Sequence, residues 1–275
     1  MARIAGPEMS SSDTALSDEL LSLATSIAHE VGAVALAGRK RGLNEVSTKS
    51  TSTDMVTEYD RLTEKSIISA LRLARPNDSI VGEEGGGHDG TSGITWFVDP
   101  IDGTTNFLYD LPSWTISIGA HDSDGEFVGV VFCPPLNETF SAIRGRGAHL
   151  NGDVISCNPI TDASKALVAT GFNYSPTNRV IQANRIPFII DKIRDVRRLG
   201  AASLDLCFVA CGRYDAYYEE HLFPWDLAAG SLIAKEAGCM VGSIDGGEHV
   251  ASAILASAPG VFAQIQRLVF LSNRL

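Results

Sequence analysis

Leu20, Ala24, Ile27, Ala28, Val31, Val34 and Ala35 recur at the three- and four-residue spacing of a helix with one buried face. Ser17 ahead of Asp18 and Glu19 reads as a cap with an acidic first turn, and Arg39-Lys40-Arg41 before Gly42 reads as the end. His29 falls near the edge of that stripe, in a structural or solvated role. Residues 44–57 are polar and predict a loop or weak hairpin; a second helix follows over 58–74, stopped by Pro76. A short strand is predicted over 79–82, running into Glu83-Glu84-Gly85-Gly86-Gly87, where Glu84 and the glycines read as a solvated loop. Apolar or alternating runs over 114–121, 127–133 and 139–143 predict strands. Asp124-Gly125, Pro134-Pro135 with Asn137, and Asn151-Gly152 supply the turns.

From about residue 163 the pattern alternates between strand and helix. Strands are predicted at 167–171, 196–199, 215–219, 239–241 and 253–256, and helices at 177–192, 203–211, 226–237 and 260–271. The chain therefore divides into an N-terminal segment 1–15, expected to be disordered, an α+β half over 16–160 and an α/β half over 161–275.

The stretch that organises this pattern is Trp96-Phe97-Val98 running into Asp99-Pro100-Ile101-Asp102-Gly103-Thr104. Pro100 and Gly103 end the strand sharply, so two carboxylates sit where it leaves the core. Two charges there call for a positive partner, and a divalent metal is the simplest. Taken alone, Asp102-Gly103 reads as an ordinary turn, and Asp226 alone reads as an N-cap. Glu83 at one strand end, Asp99, and Glu219 and Asp226 at a strand-to-helix junction do not fit that isolated reading. Carboxylates with a backbone carbonyl and few His or Cys form a hard-cation set, which points to Mg²⁺ over Zn²⁺. Gly103 and Thr104, directly after Asp102, offer backbone amides to a phosphate. Phosphate, Mg²⁺ and a hydroxyl together describe phosphomonoester hydrolysis.

Composition narrows the setting. The 275 residues are 44% hydrophobic with 11 Phe, 6 Tyr and 3 Trp, enough for a substantial core. A net charge of −11 argues against a broad footprint on nucleic acid or anionic membrane. Five cysteines at irregular spacings, with no Cys-x-x-Cys pair, suit neither zinc nor a disulfide framework and fit a reducing cytoplasm; Cys207 and Cys211 read as buried small hydrophobes. No signal peptide and no uninterrupted membrane-length apolar run is seen.

Four motifs carry a resemblance: residues 54–60 (Asp-Met-Val-Thr-Glu-Tyr-Asp), Gly82-Glu83-Glu84, 99–107 (Asp-Pro-Ile-Asp-Gly-Thr-Thr-Asn-Phe) and Trp225-Asp226-Leu227-Ala228-Ala229-Gly230. With 128–131 and 198–206, the chain over roughly 20–270 closely resembles the inositol monophosphatase family, the Mg²⁺-dependent, lithium-sensitive sugar phosphatases. The resemblance implies a five-layer αβαβα sandwich, a homodimer and about two to three Mg²⁺ per subunit. It implies one metal on Glu83, Asp99 and the Ile101 carbonyl, a second on Asp99, Asp102 and Asp226, and a weaker third near Glu83 through water. Glu83 and Thr104 would orient the attacking water, and the Gly103 and Thr104 amides would hold the phosphate. Asp102, Ala202, Glu219 and Asp226 would meet the substrate, while Lys49 and Asp54 match a mobile loop, with Asp54 acting through its neighbours.

Tyr109-Asp110, Cys133 and the short stretch between Val241 and Ala253 depart from the family pattern without touching a predicted ligand. They leave several substrates open. The first is inositol 1-phosphate; histidinol phosphate, with Asp110 and Glu220 as extra acids at the mouth, fructose bisphosphate and nucleotide 3′-phosphates are the others. A regulatory binding protein that keeps the fold is the alternative of another class.

Overall fold

The computed structural model describes residues 11–42, 46–49, 54–245 and 253–272. Its first part runs α1 (Ser11–Arg41), β1 (Val46–Thr48), β2 (Met55–Thr57), α2 (Glu58–Ala74), β3 (Ser79–Gly82), β4 (Gly87–His88) and β5 (Thr95–Asp102). It continues through α3 (Thr104–Leu108), β6 (Thr115–Asp122), β7 (Gly125–Cys133), β8 (Glu138–Ile143), β9 (Gly147–Leu150) and β10 (Asp153–Ile155). The second part holds β11 (Leu167–Thr170), α4 (Pro176–Ala183), α5 (Ile186–Ile189), β12 (Asp195–Arg197), α6 (Ala202–Ala210) and β13 (Ala216–Glu220). It ends with α7 (Pro224–Leu227), α8 (Gly230–Glu236), β14 (Met240–Gly242), β15 (Ala253–Ser257) and α9 (Phe262–Ser272).

Two sheets organise these elements. Eight strands lie in the order β10-β9-β8-β7-β6-β5-β3-β4, antiparallel throughout except for the parallel pair β3–β5. Five strands lie in the order β12-β11-β13-β15-β14, with β12, β11 and β13 parallel and β15 reversed against both its neighbours. Helices α1 and α2 bury Leu20, Ile27, Ile67 and Leu71 on one face of the larger sheet, against Trp96, Ile118 and Val130. On its other face Val131 and Phe140 meet Leu204, Cys207, Leu232 and Ile233 of α6 and α8. The far sides of α6 and α8 pack on Ala169, Tyr217 and Ile254 of the smaller sheet, and α9 covers that sheet's outer face through Ile265 and Val269. The result is the α+β sandwich with layers αβαβα.

Several boundaries differ from the sequence reading. Helix α1 begins at Ser11, so residues 11–15 are helical where disorder was expected; residues 1–10 lie outside the described residues. Ser17 is not a cap: it is buried inside the helix, and its hydroxyl donates to the Thr14 carbonyl at 2.9 Å. By length and composition α1 would suffice to cross a membrane, although it is not an unbroken apolar run; in this fold its apolar stripe packs on the sheet. The helix expected over 177–192 is broken into α4, α5 and a 3₁₀ turn, because Pro187 lacks the amide that a helix interior needs. The helix expected over 226–237 is likewise two, α7 and α8, parted at Ala228-Ala229. Asn151-Gly152 makes the predicted turn with both φ angles positive, 51° and 91°, and closes a β9–β10 hairpin that the pattern did not reveal. His29 is structural, with its ring 4.5 Å from that of Phe132 and Nε2 2.7 Å from Thr139 Oγ1. Cys207 is fully buried and Cys211 half-buried, close to expectation.

Candidate active site

Strand β5 pairs with β6 in regular register up to Asp99, opposite Ser117. The register then shifts before Asp102 pairs with Thr115. Residues three apart on a regular strand point to opposite faces. The irregularity at Pro100, which has no amide to give the ladder, lets Asp99 and Asp102 open on one cavity. Gly103 follows with φ of 90°. A Cβ there would stand 3.0 Å from the Ser113 carbonyl oxygen, so the turn into α3 is reserved for glycine.

That cavity, about 410 Å³, is lined by Asp54, Glu83, Asp99, Ile101, Asp102, Gly103, Thr104, Ala202, Glu219 and Asp226, so every predicted site residue borders one space. Asp99 is buried, and Oδ1 accepts from the Ile101 amide at 3.1 Å. Asp102 caps α6: Oδ2 accepts from the Ser203 amide at 2.7 Å and its hydroxyl at 2.6 Å, and Oδ1 from the Ala202 amide at 3.2 Å. The Ala202 amide is thus engaged by Asp102, while the residue still borders the cavity. Asp226, in the first turn of α7, accepts from the Phe223 amide at 2.7 Å. Glu219, one residue before the end of β13, accepts from the Tyr217 hydroxyl at 2.7 Å. Gly171, directly after β11, leaves the room its carboxylate occupies.

Lys49 lies 2.7 Å from Glu83 Oε1 and also pairs with Glu84. Glu84 is therefore no solvated loop residue; its side chain is only 10% exposed. The turn that carries both acids is gripped from α2, where Glu64 accepts from the Glu84 amide at 2.7 Å and the Gly86 amide at 3.0 Å. Asp60, one turn earlier, is fully buried. Its Oδ2 takes the Thr57 amide (2.7 Å) and hydroxyl (2.5 Å), while Oδ1 lies 2.9 Å from Thr104 Oγ1. Thr104 Oγ1 is also 3.1 Å from the Ile101 carbonyl oxygen, so its single proton serves one of two acceptors. Sequence reasoning assigned no role to Asp60 or Glu64. The signal was there: Thr57-x-x-Asp60 is a capping box, and 60 and 64 share the helix face that Ile67 and Leu71 bury.

Asp110, proposed as an acid at the mouth, does not border the cavity; it lies beside Arg39, with a 73% exposed side chain. Glu220 does border it, and its charge is taken by the buried Arg185 at 2.7 Å. Tyr109 and Cys133 stand away from it. Most of the stretch between Val241 and Ala253 lies outside the described residues.

Electrostatically the floor is crowded with like charge. Burial first, then the neighbouring charges of Glu83, Asp102 and Asp226, holds the Asp99 carboxyl well above its usual range. Burial and then Asp102 do the same to Asp226. Burial lifts Glu83 to about 7 against the opposing pull of Lys49. Such mutual repulsion is what a bound cation relieves, and the oxygen donors with the Ile101 carbonyl are of the hard-cation kind. As the side chains stand, no three His, Cys, Asp or Glu among the described residues converge tightly enough to grip a metal. Lys49 pairs with Glu83, and the start of α6 donates to Asp102.

The sequence profile described as the inositol monophosphatase family matches residues 16–269. An inositol-1-monophosphatase of Mycobacterium leprae is 42% identical over 235 residues, 80% of this chain and 79% of that protein. A protein of Pasteurella multocida named Nus factor SuhB is 36% identical over 250 residues, 90% and 94% of the two chains. The crystal structure of extragenic suppressor protein suhB from Bartonella henselae superposes with a TM-score of 0.86 at 30% identity, covering 91% of this chain and 98% of that one. With its αβαβα layers, its carboxylate cavity and a match over nearly its whole length, the chain belongs to the inositol monophosphatase family of phosphatases.

Proposed function

We propose that this protein is a Mg²⁺-dependent phosphomonoesterase that hydrolyses myo-inositol 1-phosphate and related polyol monophosphates to alcohol and phosphate. The observation that carries the reading is the meeting of Glu83, Asp99, Asp102 and Asp226 with the Gly103–Thr104 turn and Glu219 around one cavity. Glu83, Asp99 and the Ile101 carbonyl would hold one Mg²⁺, and Asp99, Asp102 and Asp226 a second, with about two to three ions per subunit of a homodimer. Bound there, the cation supplies Lewis acidity toward phosphoryl oxygens and a water of lowered pKa.

The chain's own groups do the positioning. Glu83 and Thr104 orient the attacking water, and Asp60 holds the Thr104 hydroxyl in place. The Gly103 and Thr104 amides face the phosphate, and Asp54 borders the same space from the β1–β2 side. Glu219, fixed by Tyr217, meets the polyol hydroxyls beside Ala202. A substrate with a second phosphate near Glu219 would face its like charge. The test is phosphate release by purified protein from inositol 1-phosphate, histidinol phosphate, fructose 1,6-bisphosphate and a nucleotide 3′-phosphate, with Mg²⁺ and with EDTA. Inositol 1-phosphate should have the highest kcat/KM, and EDTA should abolish it. An intact inositol 1-phosphate at millimolar Mg²⁺ defeats the reading.

A second reading, a regulator that works through a partner, is favoured by the name of the Pasteurella relative. Asp99→Asn separates the two: a cellular phenotype that survives loss of turnover in a folded variant supports the regulator.

A further inference from the structure

The loop after β13 turns through His221, whose φ is 63°, and brings Phe223 to the rim of the cavity. Phe223 is 57% exposed. Its ring stacks on Trp225 with centroids 5.0 Å apart and planes inclined by 12°. Trp225 thus covers one face of Phe223 and leaves apolar ring surface open beside the site. Phe172 and Tyr174 line the same space, and the Arg198 guanidinium sits 6.0 Å from the Phe172 ring centre. The cavity therefore has two chemistries: carboxylates and a phosphate-facing turn on its floor, aromatic rings on its wall. Neither the phosphate nor the hydroxyls of a polyol makes use of the wall, and open aromatic surface in water is unfavourable until something apolar covers it.

We propose that the Phe223–Trp225 stack is a shelf for the face of a ring in the leaving group, so that phosphate esters of cyclic alcohols are preferred to those of open-chain alcohols. This rests on the phosphomonoesterase reading and narrows its substrate class. A six-membered ring, saturated or aromatic, offers a broad C–H or π face to Phe223 while hydroxyls on its edge reach Glu219. An open chain covers less of the shelf and loses more rotational freedom when it binds.

The experiment measures kcat and KM for inositol 1-phosphate, phenyl phosphate and glycerol 2-phosphate with the wild-type protein, Phe223→Ala and Phe223→Tyr, all with Mg²⁺. Phe223→Ala should lower kcat/KM for the two ring esters about 2- to 10-fold more than for glycerol 2-phosphate, mainly through KM, and Phe223→Tyr should restore it. The backbone amide that holds Asp226 at 2.7 Å is kept by alanine. An equal loss on all three esters, or no loss on any, overturns the shelf. A wild-type protein that hydrolyses none of them overturns the phosphomonoesterase reading beneath it.

Discussion

Asp102 and Ser203 stand 101 positions apart in sequence, yet the Ser203 hydroxyl donates to Asp102 Oδ2 at 2.6 Å. The same hydroxyl lies 2.7 Å from Thr115 Oγ1, so a strand of the larger sheet and the first turn of α6 meet at one hydroxyl. Ser203→Ala should cost about 1 kcal/mol of stability in urea unfolding. It should also lower kcat/KM roughly 10-fold, because the carboxylate loses one of the groups that orient it. A variant with wild-type kinetics would show that the amides of 202 and 203 orient Asp102 on their own.

Asp60 supports the site in the same indirect way. Asp60→Asn keeps one acceptor and loses the charge that receives Thr57 and faces Thr104. Expected are a loss of about 1 kcal/mol from the weakened cap of α2 and a fall of about 10- to 100-fold in kcat with little change in KM. A KM effect alone would place Asp60 in substrate binding.

Why Asp99, Asp102 and Asp226 could be read from sequence while Asp60 and Glu64 could not has a physical reason. An acid at the end of an apolar run is anomalous by itself, since the run predicts burial and the charge resists it. Asp60 and Glu64 sit in a helix rich in Glu, Lys and Arg, where an acid is ordinary until the packing partner of its face is known. The αβαβα layering came from a family resemblance, because periodicity predicts elements and leaves open which face meets which. The missed break at Ala228-Ala229 is of that kind: two alanines propagate a helix well, and the break answers to the sheet they touch.

Lys49 Nζ lies 2.7 Å from Glu83 Oε1, where the proposed cation would bind. Lys49→Met should lower the Mg²⁺ concentration needed for half-maximal phosphate release, and calorimetry without substrate should register tighter Mg²⁺ binding. A higher requirement would mean that Lys49 assists the ion or the phosphate.

Glu219 gives a pH signature. Burial raises its pKa from 4.5 to about 7, with the Tyr217 hydroxyl and Arg198 opposing and Asp102 assisting. The folded state therefore binds its proton more tightly than the unfolded state. Its stabilising contribution is complete below pH 4.5 and is lost as pH rises through 7, at most roughly 3 kcal/mol. Glu219→Gln, compared with wild type in EDTA, should lose less stability between pH 5 and pH 8. Parallel curves would show that the carboxylate is not strained by burial.

Two glycines that touch no ligand have the last word on the site's dimensions. A Cβ on Gly119 would fall 2.8 Å from the Ala228 carbonyl carbon, and one on Gly129 2.8 Å from the Ala229 carbonyl oxygen. Backbone rests directly on backbone there, between the sheet that carries Asp99 and the helices that carry Asp226. The thickness of that contact works as a gauge block: it sets how far apart the carboxylates from the two sides of the molecule can stand. A methyl group inserted at residue 129 would widen the gauge, so the capacity to span a phosphate should fail at a temperature where the sandwich still holds together.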